Sequence, residues 1–145
     1  MTMKKLFLLL AFFSIVQFTK GPREGIKGQV FWISGNQMPG PGKSIPPQQG
    51  VTREIVVYKA AILQETEQTD QFFNNVKTEL VAKAMSKPDG TFKIKLPPGK
   101  YSVFTQETKG LFANVIDKNG CVSCVEVRPK KYSWVAITVD YEAAY

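Results

Sequence analysis

Pro88-Asp89-Gly90-Thr91-Phe92-Lys93-Ile94-Lys95-Leu96-Pro97-Pro98-Gly99-Lys100-Tyr101-Ser102-Val103 is the stretch that decides the fold. From Thr91 to Leu96 apolar and polar side chains alternate, so Phe92, Ile94 and Leu96 face inward while Lys93 and Lys95 face water. A period of two is that of a half-buried strand and not of a helix. Turn residues close the run at both ends. Pro88-Asp89-Gly90 predicts a tight hairpin, with Gly90 free to take the positive φ that a Cβ opposes. Pro97-Pro98-Gly99 predicts a second reversal, because neither proline can donate a hydrogen bond to a strand ladder. Tyr101 to Phe104 then resumes the strand pattern.

The same alternation recurs on both sides of this core. Candidate strands run over residues 26–33, 53–61 and 80–85 before it, and over 111–116, 122–127 and 132–139 after it. With 91–96 and 101–104 that makes eight short strands separated by turn residues, the pattern of an all-β sandwich or barrel. Two longer connections interrupt the series. The proline- and glycine-rich segment 35–50 reads as a stiff, irregular surface loop. Residues 64–78 are polar apart from a few positions, and allow either a short helix over 70–77 with Asp70 as N-cap or an extended loop that tucks Phe72 and Phe73 against the sandwich edge.

Composition narrows the chemistry. The chain has 145 residues, a formal net charge of +7, two cysteines and no histidine. Without histidine there is no Ser-His-Asp or Cys-His triad, no HExxH zinc site and no imidazole base near neutral pH. Residues 1–21 have the layout of a secretory signal peptide: Lys4 and Lys5, an apolar run from Leu6 to Val16, then a short polar exit. That run is shorter than the roughly 20 residues a membrane-crossing helix needs. The expected division is therefore a signal peptide over 1–21 and one domain over 22–145, not membrane-spanning once the signal is cleaved. Cleavage would remove lysines 4, 5 and 20 and lower the net charge from +7 to +4. The remaining basic residues are scattered along the sequence, Lys130-Lys131 being the one adjacent pair, and this argues against nucleic acid as a partner.

Cys121-Val122-Ser123-Cys124 admits four readings: a structural disulfide, two free or intermolecular thiols, a metal site, or a redox dithiol. A catalytic CxxC needs a helix N-terminus to depress the thiol pKa, and here the β-branched run Val125 to Val127 follows instead. In a fully extended segment the two Cα atoms would lie roughly 10 Å apart, beyond the limit of about 7 Å for a disulfide. A bridge therefore requires a turn at Val122-Ser123. A zinc tetrad would need a second CxxC or a histidine. Asp117-Lys118-Asn119-Gly120 begins like a calcium loop but lacks the further oxygen ligands, so it reads as a turn. Neither Glu65 with Glu67 nor Asp117 near Glu126 makes an evident acid/base pair, and no catalytic, cofactor-binding or metal-ligating residue is assigned. Trp32, Tyr58, Tyr101, Phe104, Phe112, Tyr132 and Trp134 would form a sugar-stacking platform if several stood exposed on one sheet face, although alternating aromatics are more often core. Trp134, in an apolar strand, is expected to pack inside, whereas Trp32 beside the 35–50 loop is the better candidate for exposure.

Gly25-Ile26-Lys27-Gly28-Gln29-Val30 together with Pro88 to Val103 resembles the carboxypeptidase regulatory-like domain, whose pattern is an opening G-x-V strand, a DG-x-F hairpin and an LPPG-x-Y turn. Asp89, Gly90, Pro97, Pro98 and Gly99 are the turn residues that carry the resemblance. The 36–42 loop and the ending 139–145 are also similar to those of small exported proteins of Bacteroidota-type bacteria. The resemblance implies a transthyretin-like (prealbumin-like) Greek-key sandwich of seven to eight strands, and a non-catalytic accessory module in the periplasm or at the cell surface. A hydrolase with the same kind of fold uses histidines, an arginine and a C-terminal Tyr-Arg-Gly-Ser; this chain has no histidine and closes on Glu142-Ala143-Ala144-Tyr145. Departures from the family pattern are the CxxC and an insertion between the second and third strands. The leading expectation is a monomeric, exported, non-enzymatic module whose partner is an envelope protein or a glycan, met through Trp32, Asn36, Met38 and Pro39. A carbohydrate-binding module using exposed aromatics is the alternative, and a thiol-disulfide redox protein through Cys121 and Cys124 is a third.

Overall fold

A computed structural model describes residue 21, residues 23–45 and residues 47–145. The proposed signal peptide over residues 1–21 therefore lies outside the described residues, except for Gly21. The described chain forms eleven strands and no α-helix: β1 (Gly25–Asn36), β2 (Gln49–Gly50), β3 (Glu54–Lys59), β4 (Thr66–Thr69), β5 (Phe72–Val76), β6 (Leu80–Met85), β7 (Thr91–Lys95), β8 (Gly99–Glu107), β9 (Gly110–Phe112), β10 (Cys124–Val127) and β11 (Tyr132–Ala144). A single 3-10 turn, Leu63–Glu65, precedes β4. The expected all-β sandwich is what forms.

Two sheets make it. In the smaller sheet β1 lies between β11 on one side and, on the other, β7 along its first half and β2 beyond. The larger sheet has the order β4-β5-β9-β8-β3-β6, with β10 also paired to β8. Facing side chains from both fill the space between them: Ile26, Val30, Phe92, Ile94, Ile137 and Val139 from the smaller sheet, and Ile55, Val57, Phe72, Val103 and Phe112 from the larger. Phe92, Ile94 and Leu96 do face inward, as the alternation predicts. The β1–β11 pair is parallel, joining the first and last strands from Gly25↔Tyr132 to Asn36↔Ala144, with one irregularity between Trp32 and Ser34.

Pro88-Asp89-Gly90 behaves differently from the expected hairpin. Its closure is that of a tight turn: Lys87 N–H donates to Thr91 O at 2.9 Å and Gly90 N–H to Lys87 O at 2.8 Å. The strands on either side belong to different sheets, β6 with β3 and β7 with β1. The turn is a corner that carries the chain across the sandwich, and Pro97-Pro98-Gly99 is the corner that carries it back to β8. There Tyr101 Oη donates to Pro97 O at 2.6 Å, so the tyrosine of the LPPG-x-Y motif clamps the turn two residues before it.

The helix option for residues 70–77 is also overturned. Asp70, with φ of +55°, and Gln71 turn a β4–β5 hairpin. Consecutive Phe72 and Phe73 are both buried, on opposite faces: Phe72 joins the core between the sheets and Phe73 a second cluster on the outer face of the larger sheet. Only a strand sends neighbouring side chains to opposite faces. The insertion thus extends the larger sheet beyond β9. Residues 111–116, expected as one strand, keep the ladder only to Phe112; Ile116 makes an isolated bridge to Val122.

Candidate binding surface

The cysteine loop is built from its preceding turn. Asp117 Oδ1 accepts the N–H groups of Asn119 at 2.8 Å and Cys121 at 2.9 Å, while Gly120 N–H donates to Asp117 O at 3.0 Å. The Cys121 amide, with that of Asn119 and the nearby lysines, holds the Asp117 carboxyl below its ordinary value against the opposing effect of burial. This carboxylate is occupied by the amides of its own loop. Ser123 then takes φ of +45°, the turn brings the Cα atoms of Cys121 and Cys124 to 5.7 Å, and the two form a disulfide. Between them Val122 is fully buried against Val56, Phe73 and Phe104, with its N–H donating to Ala61 O at 2.9 Å. The bridge fixes a plug over the outer face of the larger sheet.

Trp32 is occupied in another way. Its ring meets Tyr141 edge-on at 5.2 Å between centroids, and the Arg53 guanidinium lies 5.3 Å from its centre. Arg53 Nε in turn donates to both oxygens of buried Glu107, at 3.2 and 3.1 Å. Tyr141 also packs on Phe72 and Phe112. Burial pushes the Tyr141 phenol above its ordinary value of 10.0, and the neighbouring Glu107 carboxylate adds to that. One end of the sandwich is thus closed by an ion pair sandwiched among aromatics. Trp32 also borders a small depression with Gln37, Pro47 and Gln49 of the 35–50 segment.

Asn36, Met38 and Pro39 do sit together at the end of β1. Asn36 Oδ1 accepts Met38 N–H at 2.8 Å, and the adjacent Gln37 N–H donates to Ala144 O at 2.7 Å. Met38 is 55% exposed and Pro39 is exposed. Asn36 and Met38 border a depression of about 390 Å3 with Lys43, Ser44 and Ile45.

The outer face of the smaller sheet brings two of the candidate aromatics, Tyr132 and Trp134, together with lysines distant in sequence. Trp134, expected inside, is 62% exposed. The cause is register. Val135, Ile137 and Val139 take the core face of β11, so Trp134 points the other way. Lys27 of β1 pairs with Trp134 on one side and with Lys93 of β7 on the other, and one ladder step away Gly25 lies between Tyr132 and Lys95. Directly paired residues share a face. Tyr132, Trp134, Lys27, Lys93 and Lys95 therefore stand side by side, with the Lys93 ammonium 4.4 Å from the centre of the Tyr132 ring. Lysines scattered along the sequence converge only through cross-strand pairing. The signal that marks the outward aromatic is the strict β-branched spacing of Val135, Ile137 and Val139.

Comparison of the chain with family models, with curated proteins and with solved structures returned no match in any of the three. The fold and these surfaces are therefore what bears on function.

Proposed function

We propose that this protein is an exported, non-enzymatic binding module of the cell envelope, of the carboxypeptidase regulatory-like kind, and that it engages its partner with the outer face of the smaller sheet. The observation that carries the reading is Trp134. A large aromatic left 62% exposed on a regular strand, beside Tyr132 and three lysines, is costly to leave in water and is the composition of a recognition surface. Support for export comes from the disulfide, which persists in oxidising compartments, and from the signal-like layout of residues 1–21. Support for a non-catalytic role comes from the absence of histidine and from the structural use of Glu107, bonded by Arg53, and of Asp117, bonded by the amides of its own loop. The loop carrying Asn36, Met38 and Pro39 is the competing contact surface.

Fractionation tests both parts. The tagged protein is expected in the envelope or medium fraction, and purified wild type is expected to co-sediment with isolated envelopes while Trp134→Ala stays in the supernatant. Recovery in the cytoplasm with both cysteines reduced, or equal sedimentation of the two proteins, would sink the proposal.

A further inference from the structure

The charges around Trp134 say what kind of partner fits. Lys27 and Lys93 are directly opposite each other across an antiparallel pair, an arrangement that destabilises a sheet when nothing neutralises it. Among the described residues, the carboxylates within ion-pair distance of a cation serve Arg53, Lys59, Lys83 and Lys100, and none serves Lys27, Lys93 or Lys95. The residues paired around Trp134 (Lys27, Lys93, Lys95 and Tyr132) include no acid; the acids of the same face, Asp140 and Glu142, lie further along β11, and Asp89 is bonded to Thr91 at the far end of β7. A local positive field stands unneutralised beside two aromatic rings on a regular strand surface.

From this juxtaposition we infer that the face binds an anionic polysaccharide: the apolar faces of sugar rings stack on Trp134 and Tyr132, and carboxylate or phosphate substituents on the chain meet Lys27, Lys93 and Lys95. The aromatics lie two strand residues apart, about 6.7 Å along β11, a spacing that lets one extended chain meet both rings. Sugar C–H groups carry slight positive charge and are drawn to an aromatic face, as cations are. The lysines add charge attraction without demanding a fixed geometry, because an ammonium is a point charge on a flexible stem. An open sheet face suits a long polymer better than a small molecule, which needs a concave pocket to bury most of its surface. A duplex nucleic acid is disfavoured because three lysines neutralise too few phosphates for firm binding. The inference rests on the proposal that this face is the working surface, and names its ligand.

The test uses purified protein, polygalacturonate as the acidic polymer, and the same polymer with its carboxylates methyl-esterified. Wild type is expected to bind polygalacturonate, more weakly as salt is raised, and to bind the esterified polymer far less. Trp134→Ala is expected to weaken binding about tenfold or more, and Trp134→Tyr to stay within about threefold of wild type. Lys27→Gln and Lys93→Gln are each expected to cost about two- to fivefold and to reduce the salt dependence. General attraction of a basic protein for a polyanion would leave Trp134→Ala unchanged, and that result overturns the inference. So does tighter binding to duplex DNA or to phosphatidylserine vesicles than to polygalacturonate. Envelope sedimentation that depends on Trp134 without polygalacturonate binding refutes the ligand and keeps the face; loss of Trp134 dependence in both assays refutes both.

Discussion

Gly90 answers two demands at once. Its φ is +86°, and a Cβ there would lie 2.2 Å from Val30 O and 3.0 Å from the Cα of Gly50. Both neighbours are backbone and cannot step aside. Gly90→Ala is therefore expected to cost at least about 2 kcal/mol in denaturant unfolding; a change below about 0.5 kcal/mol would show that the corner is not packed as described. That glycine was legible in the sequence, because Asp-Gly after proline points to a turn. The two tryptophans were not. Each sits in an alternating run whose two faces are both partly apolar, and only the register of β1 against β11 places Trp32 on the core side and Trp134 outside. Tyr101 lies between these cases: its strand was readable, but its hydrogen bond to Pro97 O depends on how the proline turn closes.

At the scale of elements, what the sequence concealed is the second apolar cluster. Ile55, Val56 and Val57 are all fully or almost fully buried, because β3 has the inter-sheet core on one face and Val122 and Phe104 on the other. An unbroken apolar run marks a strand covered on both faces, whereas the alternation of Thr91 to Lys95 marks one covered on a single face. The same cluster explains Phe73 and the failure of the helix over 70–77. The disulfide belongs to this element. Closing a ring of so few residues constrains the unfolded chain by about 2 kcal/mol in the loop-entropy account. Replacing both cysteines, Cys121→Ser with Cys124→Ser, is expected to lower stability by about that amount while leaving the fold intact, since Val122 still has its bond to Ala61. Equal denaturant midpoints for the double variant and the wild type would contradict the plug described here. Of the four readings of the CxxC, geometry selected one through the positive φ of Ser123, which the residue types do not announce.

Across the whole molecule, the sandwich buries tyrosines at both of its sheets' ends, and this sets a pH limit. Burial raises the phenol of Tyr101, with Glu24 adding to it, and that of Tyr141, with Glu107 adding to it, above the ordinary value of 10.0. In the unfolded chain both ionise near that value, so the folded state holds its protons longer. Their contribution to stability is fully present below pH 10.0 and is lost as the pH rises through the higher folded values. Unfolding midpoints should fall above pH 10.0, and Tyr141→Phe should flatten the decline; a flat profile through that range would contradict the burial of both rings. The class of fold was visible in the strand count and turn chemistry, whereas the working surface was not, because it is assembled from β1, β7 and β11, strands far apart in sequence. The claim that this assembled face does the work is tested most directly by measuring envelope binding of two variants side by side: Trp134→Ala, and a chain in which residues 38–42 are replaced by a flexible linker. The account predicts that Trp134→Ala loses binding and the linker chain keeps it; the reverse result would move the function to the loop and contradict the account.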